Sequence, residues 1–492
     1  MIEFGKMKLL PVRICVITIV LYALLWVVPD KKIAIGVMMC YVGVVAWVLQ
    51  DVAQALVISY LAFIPVGLGK FFPVVLVSPI QLNIPYRFLG ITAHSTVTMR
   101  DVAVVLMGVL SVRQSIRQRM LFWPRDAVGW ILLVLPVGMA LSAFLGSVIP
   151  DISFVQALVF IEPFIVYTYV TRVLPRLDLQ LVMSVLIAGL GFESVVAGAQ
   201  YVRGAPLGLL IEGFPGFIPV DTNPDATFAY RFGGTFTHAN ILAHYLIFSL
   251  FLVIPVLFDR HAYVRRFGAF AVTLGLMALT LTQSRSAWIA GVFALLFFFF
   301  YIEKVRGHRP AIPVDVRPIL YMSLPIILAV VWYLVFPRLA GTAYTFTPYG
   351  SGGTRLGLLT DAIRSARMHP LFGVGLSMDV YASYLGSVVR HVPYAVFIPE
   401  PVHNGFAELF VETGIVGFGP YVLVLFGLGW IVWREMKKSR GVRLIYLSGA
   451  AAGVIAVLVN SQLQPLLPDL QELTLLVMIY ASFSAARKAS YV

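Results

Sequence analysis

Pro399-Glu400-Pro401-Val402-His403-Asn404-Gly405-Phe406-Ala407-Glu408-Leu409-Phe410-Val411-Glu412-Thr413-Gly414-Ile415-Val416-Gly417 closes the longest polar interval of a very apolar chain. It runs straight into a hydrophobic span, Ile415–Trp433. Prolines at 399 and 401 punctuate the approach, so a helix is expected from about His403. At 100° per residue Asn404, Glu408 and Glu412 then share one narrow stripe, while Phe406, Leu409 and Phe410 face elsewhere. An imidazole, an amide and two carboxylates at a membrane entrance are costly to desolvate, and such groups are ordinarily functional or paired. Gly414 and Gly417 permit close packing where the helix enters the bilayer.

The composition agrees. Of 492 residues 60% are hydrophobic and 12% charged, and the mean hydropathy is +0.91. Many stretches reach the roughly 20 apolar residues needed to cross a bilayer. The expected fold class is therefore all-α, a polytopic transmembrane protein of about 12–14 spans. Window counting gives Leu9–Pro29, Ile33–Leu49, Val52–Leu68, a weaker Met99–Val112, Val128–Ile149, Phe154–Thr171, Leu179–Val202, Ala239–Phe258, Phe267–Thr282, Ala287–Ile302, Ile319–Phe336, Ile415–Trp433, Leu444–Ser461 and Leu473–Ala485. Residues 1–492 read as a single integral membrane domain, with no internal repeat. The N-terminal span, preceded by Lys6 and Lys8 and holding Arg13, has no small-residue cleavage site after it and is expected to be retained.

The net charge of +13 reports orientation rather than a nucleic-acid partner, because the basic residues sit in short loops. Arg113, Arg117, Arg119 and Arg125 share one loop, and Arg172 and Arg176 another. Arg260, Arg265 and Arg266 form a third, Lys304, Arg306, Arg309 and Arg317 a fourth, and Arg434, Lys437, Lys438, Arg440 and Arg443 a fifth. An even number of spans separates each consecutive pair, so all five, and both termini, are expected in the cytoplasm. The loops 203–238 and 338–402, a stretch from Gly69 to Thr98, and the turn Thr282-Gln283-Ser284-Arg285-Ser286 then lie outside. Phe71–Ile80 is apolar but too short to span, which suits an interfacial or re-entrant segment. Cys15 and Cys40 lie in apolar spans without ligand spacing, so neither a disulfide framework nor a metal site is expected.

Three arginines stand on the outer side. Arg231 opens Arg-Phe-Gly-Gly-Thr-Phe-Thr-His-Ala-Asn, where Gly233 and Gly234 permit backbone turns that expose N–H groups to an anion. Arg285 lies in a tight turn against the positive-inside bias, unlike an ordinary snorkelling anchor. Arg355 follows Gly352-Gly353-Thr354, with Thr354 as the expected cap of an amphipathic helix running through Arg367. An arginine in that first turn opposes the helix dipole, so a bound anion or carboxylate accounts for it better than propensity does. Arg364 and Arg367, further along, read as interfacial contacts to headgroups.

The His403-Asn404 pair followed by Glu412-Thr-Gly414-Ile-Val-Gly417 resembles the signature of the O-antigen ligase and polymerase family, bacterial enzymes that move glycans off undecaprenyl diphosphate. Gly234-Thr-Phe and Asn240-Ile-Leu-Ala, Ser284-Arg285, and Arg355 through His369-Pro-Leu-Phe-Gly373-Val-Gly375 resemble it in the same order. The chain departs from the family at His238-Ala239, where Asn-Pro is usual. The resemblance covers residues 231–433 and implies a GT-C-like architecture. It implies a glycosyltransferase in the inner membrane, its site facing the periplasm, needing no cofactor and no metal.

In that setting Arg231, Arg285 and Arg355 would bind the diphosphate as bidentate donors. His403 would take the proton of the attacking sugar hydroxyl or hold it in line, with Glu412 or Glu408 orienting the imidazole or acting as the base. Asn404, Asn240, Gly414 and Gly417 would support them. Expected partners are an undecaprenyl-diphosphate-linked glycan, a saccharide or lipid-core acceptor, membrane lipids, and chain-length or export proteins. A transporter or flippase of a lipid-linked saccharide is the alternative. It calls for charges at mid-membrane and broken spans in matching halves, whereas here the polar residues gather at one face, although Glu162 and Glu193 lie within spans.

Overall fold

The computed structural model describes residues 2–66, 69–73, 94–119, 126–174, 177–212, 231–236, 238–259, 261–306, 351–378 and 402–464, with a few isolated positions besides. The expected spans Ile319–Phe336 and Leu473–Ala485 lie almost wholly outside these residues. The helices are α1 (Ile2–Val27), α2 (Lys31–Leu49), α3 (Val52–Phe63), α4 (Met99–Arg117), α5 (Ala127–Gly146), α6 (Pro150–Val159), α7 (Glu162–Arg172), α8 (Leu179–Arg203), α9 (Ala239–Val253), α10 (Ala262–Leu281), α11 (Arg285–Arg306), α12 (Ser351–Met368), α13 (Gly405–Lys438) and α14 (Gly441–Ser461). A 3-10 turn, Ile254–Phe258, extends α9. Among the described residues nine segments are long and apolar enough to cross a membrane, with α6 and α7 counted as one. The protein is a polytopic helical membrane protein. Among the described residues the one departure from all-helical structure is a short antiparallel ribbon of β1 (Gly69–Pro73) and β2 (His94–Thr98), pairing Gly69 with Thr98, which takes up the start of the segment expected to be interfacial.

Two expected spans are built differently from their windows. Phe154–Thr171 is interrupted at Phe160-Ile161, and α7 restarts with Glu162-Pro163, a proline its first turn accommodates. Glu162 is buried there; it accepts from the Tyr60 hydroxyl, and Arg100 stands 4.0 Å away. Met99–Val112 becomes the amphipathic α4, started by a capping box between Thr98 and Asp101.

The five basic loops meet at one end of the bundle. Arg172 at the foot of α7 donates to Ser115 of α4, and Gln180 of α8 meets His261 before α10. Arg265 of α10 grips Asp315 through both carboxylate oxygens, Tyr446 of α14 donates to Asp259, and the Tyr301 ring of α11 packs on Trp433 of α13. Each contact joins two basic loops.

The opposite end is organised by a backbone interlock. α13 breaks at Gly414, whose φ of 56° and ψ of −165° belong to a region open essentially to glycine. The segment after α12 fills the gap. Val374 and Gly375 N–H groups donate to the carbonyls of Val411 and Glu412, while Ile415 and Val416 N–H groups donate to Pro370 and Leu371. The Ser142 hydroxyl of α5 donates to the Phe372 carbonyl, and Val148 N–H donates to Val374. The pairing requires close backbones. A Cβ on Gly414 would fall on the Leu371 carbonyl, one on Gly373 on the Glu412 carbonyl, and one on Gly146 of α5 on Phe372. Small residues at 138, 142 and 146 thus form the face of α5 that receives both α13 and the inserted segment. The same segment sits over a small apolar core of Ile149, Ile152, Ala362, Ala366, Val374, Met378, Val402 and Val411, which seats α12 on the bundle.

Gly414→Ala should therefore lose the fold, since strain and the Leu371 clash together exceed about 2 kcal/mol. Gly419→Ala, where a Cβ meets nothing within 4 Å, should be silent. Thermal unfolding monitored by size-exclusion in detergent separates them; a Gly414→Ala melting temperature equal to that of Gly419→Ala would disprove the interlock.

Candidate active site

Four helix ends meet at the end away from the basic loops. α9, α11 and α13 begin there and α14 finishes there. A helix N-terminus presents unpaired N–H groups and about half a positive charge, so three of them favour an anion at one place. The sequence supplies the starts: His238 caps α9 by accepting the Asn240 N–H at 3.0 Å, and Asn404 caps α13 by accepting from Ala407. Ser284 precedes α11, its carbonyl taken by Trp288 N–H, after a turn in which Gln283 has a φ of 52°.

The loop that carries Arg231 is anchored deep in α8. Glu193, fully buried, accepts the Thr235 N–H at 3.1 Å and the Thr235 hydroxyl at 2.6 Å. Gln200 pairs with both the N–H and the carbonyl of Gly234 at 2.9 Å. Gly234 has a φ of 62°, and a Cβ there would strike Glu193. The glycines thus let the chain double back onto two polar side chains of a span, and those side chains hold the Arg231 loop in place.

Arg231 reaches two elements. Its guanidinium donates to the Asn240 side-chain oxygen at 2.7 Å and to the Thr282 carbonyl at 2.9 and 3.1 Å, bracing the start of α9 against the turn before Arg285. Asn240 donates in turn to Gln464 at 2.8 Å, and Gln464 donates to Ser286 at 3.1 Å. Arg355 donates to the Leu463 carbonyl at 3.3 Å, and Asn404 to the Gln462 carbonyl at 3.1 Å. Asn460, one turn earlier, pairs with His244 of α9.

Every element that carries an expected site residue is thus tied to the turn Asn460–Gln464. The sequence places Asn460 and Ser461 at the close of a span and Glu193 within one, but gives neither them, Gln200 nor Gln464 a role in the site. The available signal was five residues, Asn-Ser-Gln-Leu-Gln, four of them polar, closing an apolar span.

The expected residues divide by position. Arg231 and Asn240 touch directly, Arg285 opens α11 beside Ser284 and Ser286, and Arg355 and Asn404 attach to adjacent carbonyls of one turn. His403 immediately precedes the Asn404 cap, and Glu408 lies one turn into α13, its N–H donating to the Asn404 carbonyl. Glu412 is buried a further turn along, about 12 Å from Asn404 by helix rise, where its carbonyl belongs to the interlock. Gly414 forms the interlock, and at Gly417 a Cβ would strike Thr413.

Two helix expectations change. α12 starts at Ser351, so Thr354 lies within it rather than capping it, and Arg355 sits one turn in rather than in the first turn. The dipole argument for an anion at Arg355 weakens accordingly. Arg364 is held by the buried Asp361 at 2.9 Å, an ion pair within the helix, whereas Arg367 is exposed. Among the described residues no three His, Cys, Asp or Glu side chains cluster as metal ligands do.

No curated protein matches the chain. The family model described as O-antigen ligase matches residues 270–422, which take in the Arg285 turn, α12, the interlock and the His403-Asn404 start of α13. Over these residues, about a third of its length, the chain is similar to the O-antigen ligase family.

Proposed function

We propose that the protein transfers a glycan from an undecaprenyl-diphosphate carrier to an acceptor hydroxyl on the outer face of the cytoplasmic membrane. The observation that carries this is the gathering of Arg231, Arg285 and Arg355 with three helix N-termini at the end opposite the five basic loops. By the positive-inside rule those loops, and both termini, lie in the cytoplasm, which places the site at the periplasmic surface. The ligase-like unit then extends beyond the matched residues to 231–433, because Arg231 and Asn240 complete the site.

The chemistry follows from the charges. In glycan transfer the acceptor oxygen attacks the anomeric carbon, the bond from that carbon to the diphosphate oxygen breaks, and the hydroxyl proton passes to a base. A single displacement inverts the anomeric centre. Charge grows on the departing diphosphate, and fixed cations and N–H groups aimed there stabilise the transition state without reorganisation, so no metal is required. His403, at the mouth of α13, takes the proton or holds the hydroxyl in line; Glu408, one turn away, orients it or serves as the base. Glu412, a further turn along α13, supports the site through the interlock in which its carbonyl takes part. The acceptor is a growing saccharide or a lipid core, with chain-length or export proteins as partners. Deletion followed by sizing of lipid-linked glycan separates the two outcomes: single repeats for a lost polymerase, long glycan stranded on the carrier for a lost ligase.

His403→Ala should lower transfer about 100-fold or more while the protein still elutes as a folded species. Near-normal glycan output from that variant would remove His403 from the mechanism.

Lysine keeps the charge of arginine but loses the planar fork. Arg231→Lys, Arg285→Lys and Arg355→Lys should each lower transfer roughly tenfold, and Arg367→Lys, outside the cluster, should be silent. Equal activity across the four, at matched expression, would refute the diphosphate assignment.

Orientation is read separately, in a background with Cys15 and Cys40 replaced by serine. An impermeant thiol reagent applied to spheroplasts should label Met368→Cys and leave Lys438→Cys untouched. The reverse pattern would invert the topology.

A further inference from the structure

Gln464 stands between the segments that carry Arg231 and Arg285, and the hydrogen bonds around it run in one direction. A guanidinium has donors alone, so Asn240 presents its side-chain oxygen to Arg231, at 2.7 Å. The Asn240 amide nitrogen then faces away and needs an acceptor, which Gln464 Oε1 supplies at 2.8 Å. With that oxygen engaged, Gln464 Nε2 donates at 3.1 Å to the hydroxyl oxygen of Ser286, the residue after Arg285 at the start of α11. Ser286 pairs in turn with Ser284 at 3.2 Å. Asn240, Gln464 and Ser286 are 9, 4 and 5% exposed, too little for solvent to stand in for a lost partner.

We propose that Gln464 is a positioning residue for glycan transfer, one that fixes how Asn240 holds the Arg231 guanidinium and where that guanidinium stands relative to Arg285; the role rests on the diphosphate reading of the site. An amide side chain can turn over, exchanging its oxygen for its nitrogen. Turned over, Asn240 would set N–H against the N–H groups of Arg231, and the guanidinium would lose its bond to α9. Gln464 excludes that state. Its Nε2 is committed to Ser286, so only its oxygen is left for Asn240, and that oxygen accepts the Asn240 nitrogen alone. The same side chain joins the start of α9 to the start of α11, which sets the spacing of the two arginine-bearing segments. Being buried, Gln464 acts through Arg231 rather than on the substrate. A bidentate grip depends on the plane of the fork as well as on its charge, so a guanidinium held less firmly should bind diphosphate less tightly.

The test is a double-mutant cycle, read by calorimetric titration of the full-length protein in nanodiscs with undecaprenyl diphosphate. Gln464→Met keeps the length of the side chain and removes both hydrogen bonds. It should weaken binding roughly tenfold in the wild-type background, the size of a coupling between neighbours in one network. In an Arg231→Lys background, where no planar fork remains to be held, the same substitution should change affinity less than about twofold. In an Arg367→Lys background, outside the cluster, the roughly tenfold loss should persist. Unchanged affinity in Gln464→Met, or an equal loss with and without Arg231, would overturn the role of Gln464 and leave the diphosphate site standing. Failure of wild type to bind undecaprenyl diphosphate would overturn both. Should Gln464→Met not fold, the same cycle with Gln464→Asn decides, since that variant keeps a buried amide but is one methylene too short to span both partners. Loss of the folded protein in both variants would assign Gln464 to the fold and overturn the proposal.

Discussion

A chain that leaves its helical path inside a bilayer must find partners for the N–H and C=O groups it releases, at a cost of several kcal/mol for each one left over. α13 leaves its path at Gly414, and the four groups at the break are met by Pro370, Leu371, Val374 and Gly375. This reciprocal pairing holds α12 and the start of α13 to the membrane bundle. α12 hangs from it through the small apolar core around Val374 and Val411, and the position of α12 fixes that of Arg355. The start of α13, which carries His403, Asn404 and Glu408, is the part of that helix on the outer side of the break. The interlock thus sets where one of the three arginine-bearing segments, α12, stands relative to the proposed base.

Charge placement follows a second rule. Three polar pairs lie inside the bundle, Glu193 with Thr235, Glu162 with Tyr60, and Asn460 with His244. At the end opposite the basic loops Arg231 grips Thr282 and Asn240, and Arg355 grips the Leu463 carbonyl. These neutral partners orient the guanidinium groups. The contrast with the other end is direct: Arg265 is matched to Asp315 and Arg443 to Glu435, ion pairs that fasten helices and neutralise what they fasten.

The spans were legible because hydrophobic length is a local property; α5, α8, α9, α13 and α14 fall close to where windows of apolar residues place them. The glycine signature around Gly414 was legible as close packing but not as a break, because the cause is the pairing of residues 370–375 with 411–416 and no local pattern announces it. Arg231, Arg285, Arg355 and His403 stood out as charges at membrane ends, where their presence is costly. Gln464 and Glu193 did not, since an amide at the close of a span and a carboxylate within one have many bland uses. Their roles exist only through contacts 178 and 42 residues away in sequence, to Ser286 and Thr235.

The Asn460–Gln464 turn also has a consequence in time. Arg231 and Asn240 are synthesised about 230 residues before Gln464 joins them to Ser286. At ribosomal rates of about 5–20 residues per second, that interval is on the order of tens of seconds. Through this interval the earlier spans are in the membrane without the piece that braces α9 against α11. A nascent chain that has not yet made α14 therefore lacks the turn to which the starts of α9, α11 and α13 are tied. A ribosome that stalls before α14 leaves behind a bundle in which Gln464 does not yet join Asn240 to Ser286.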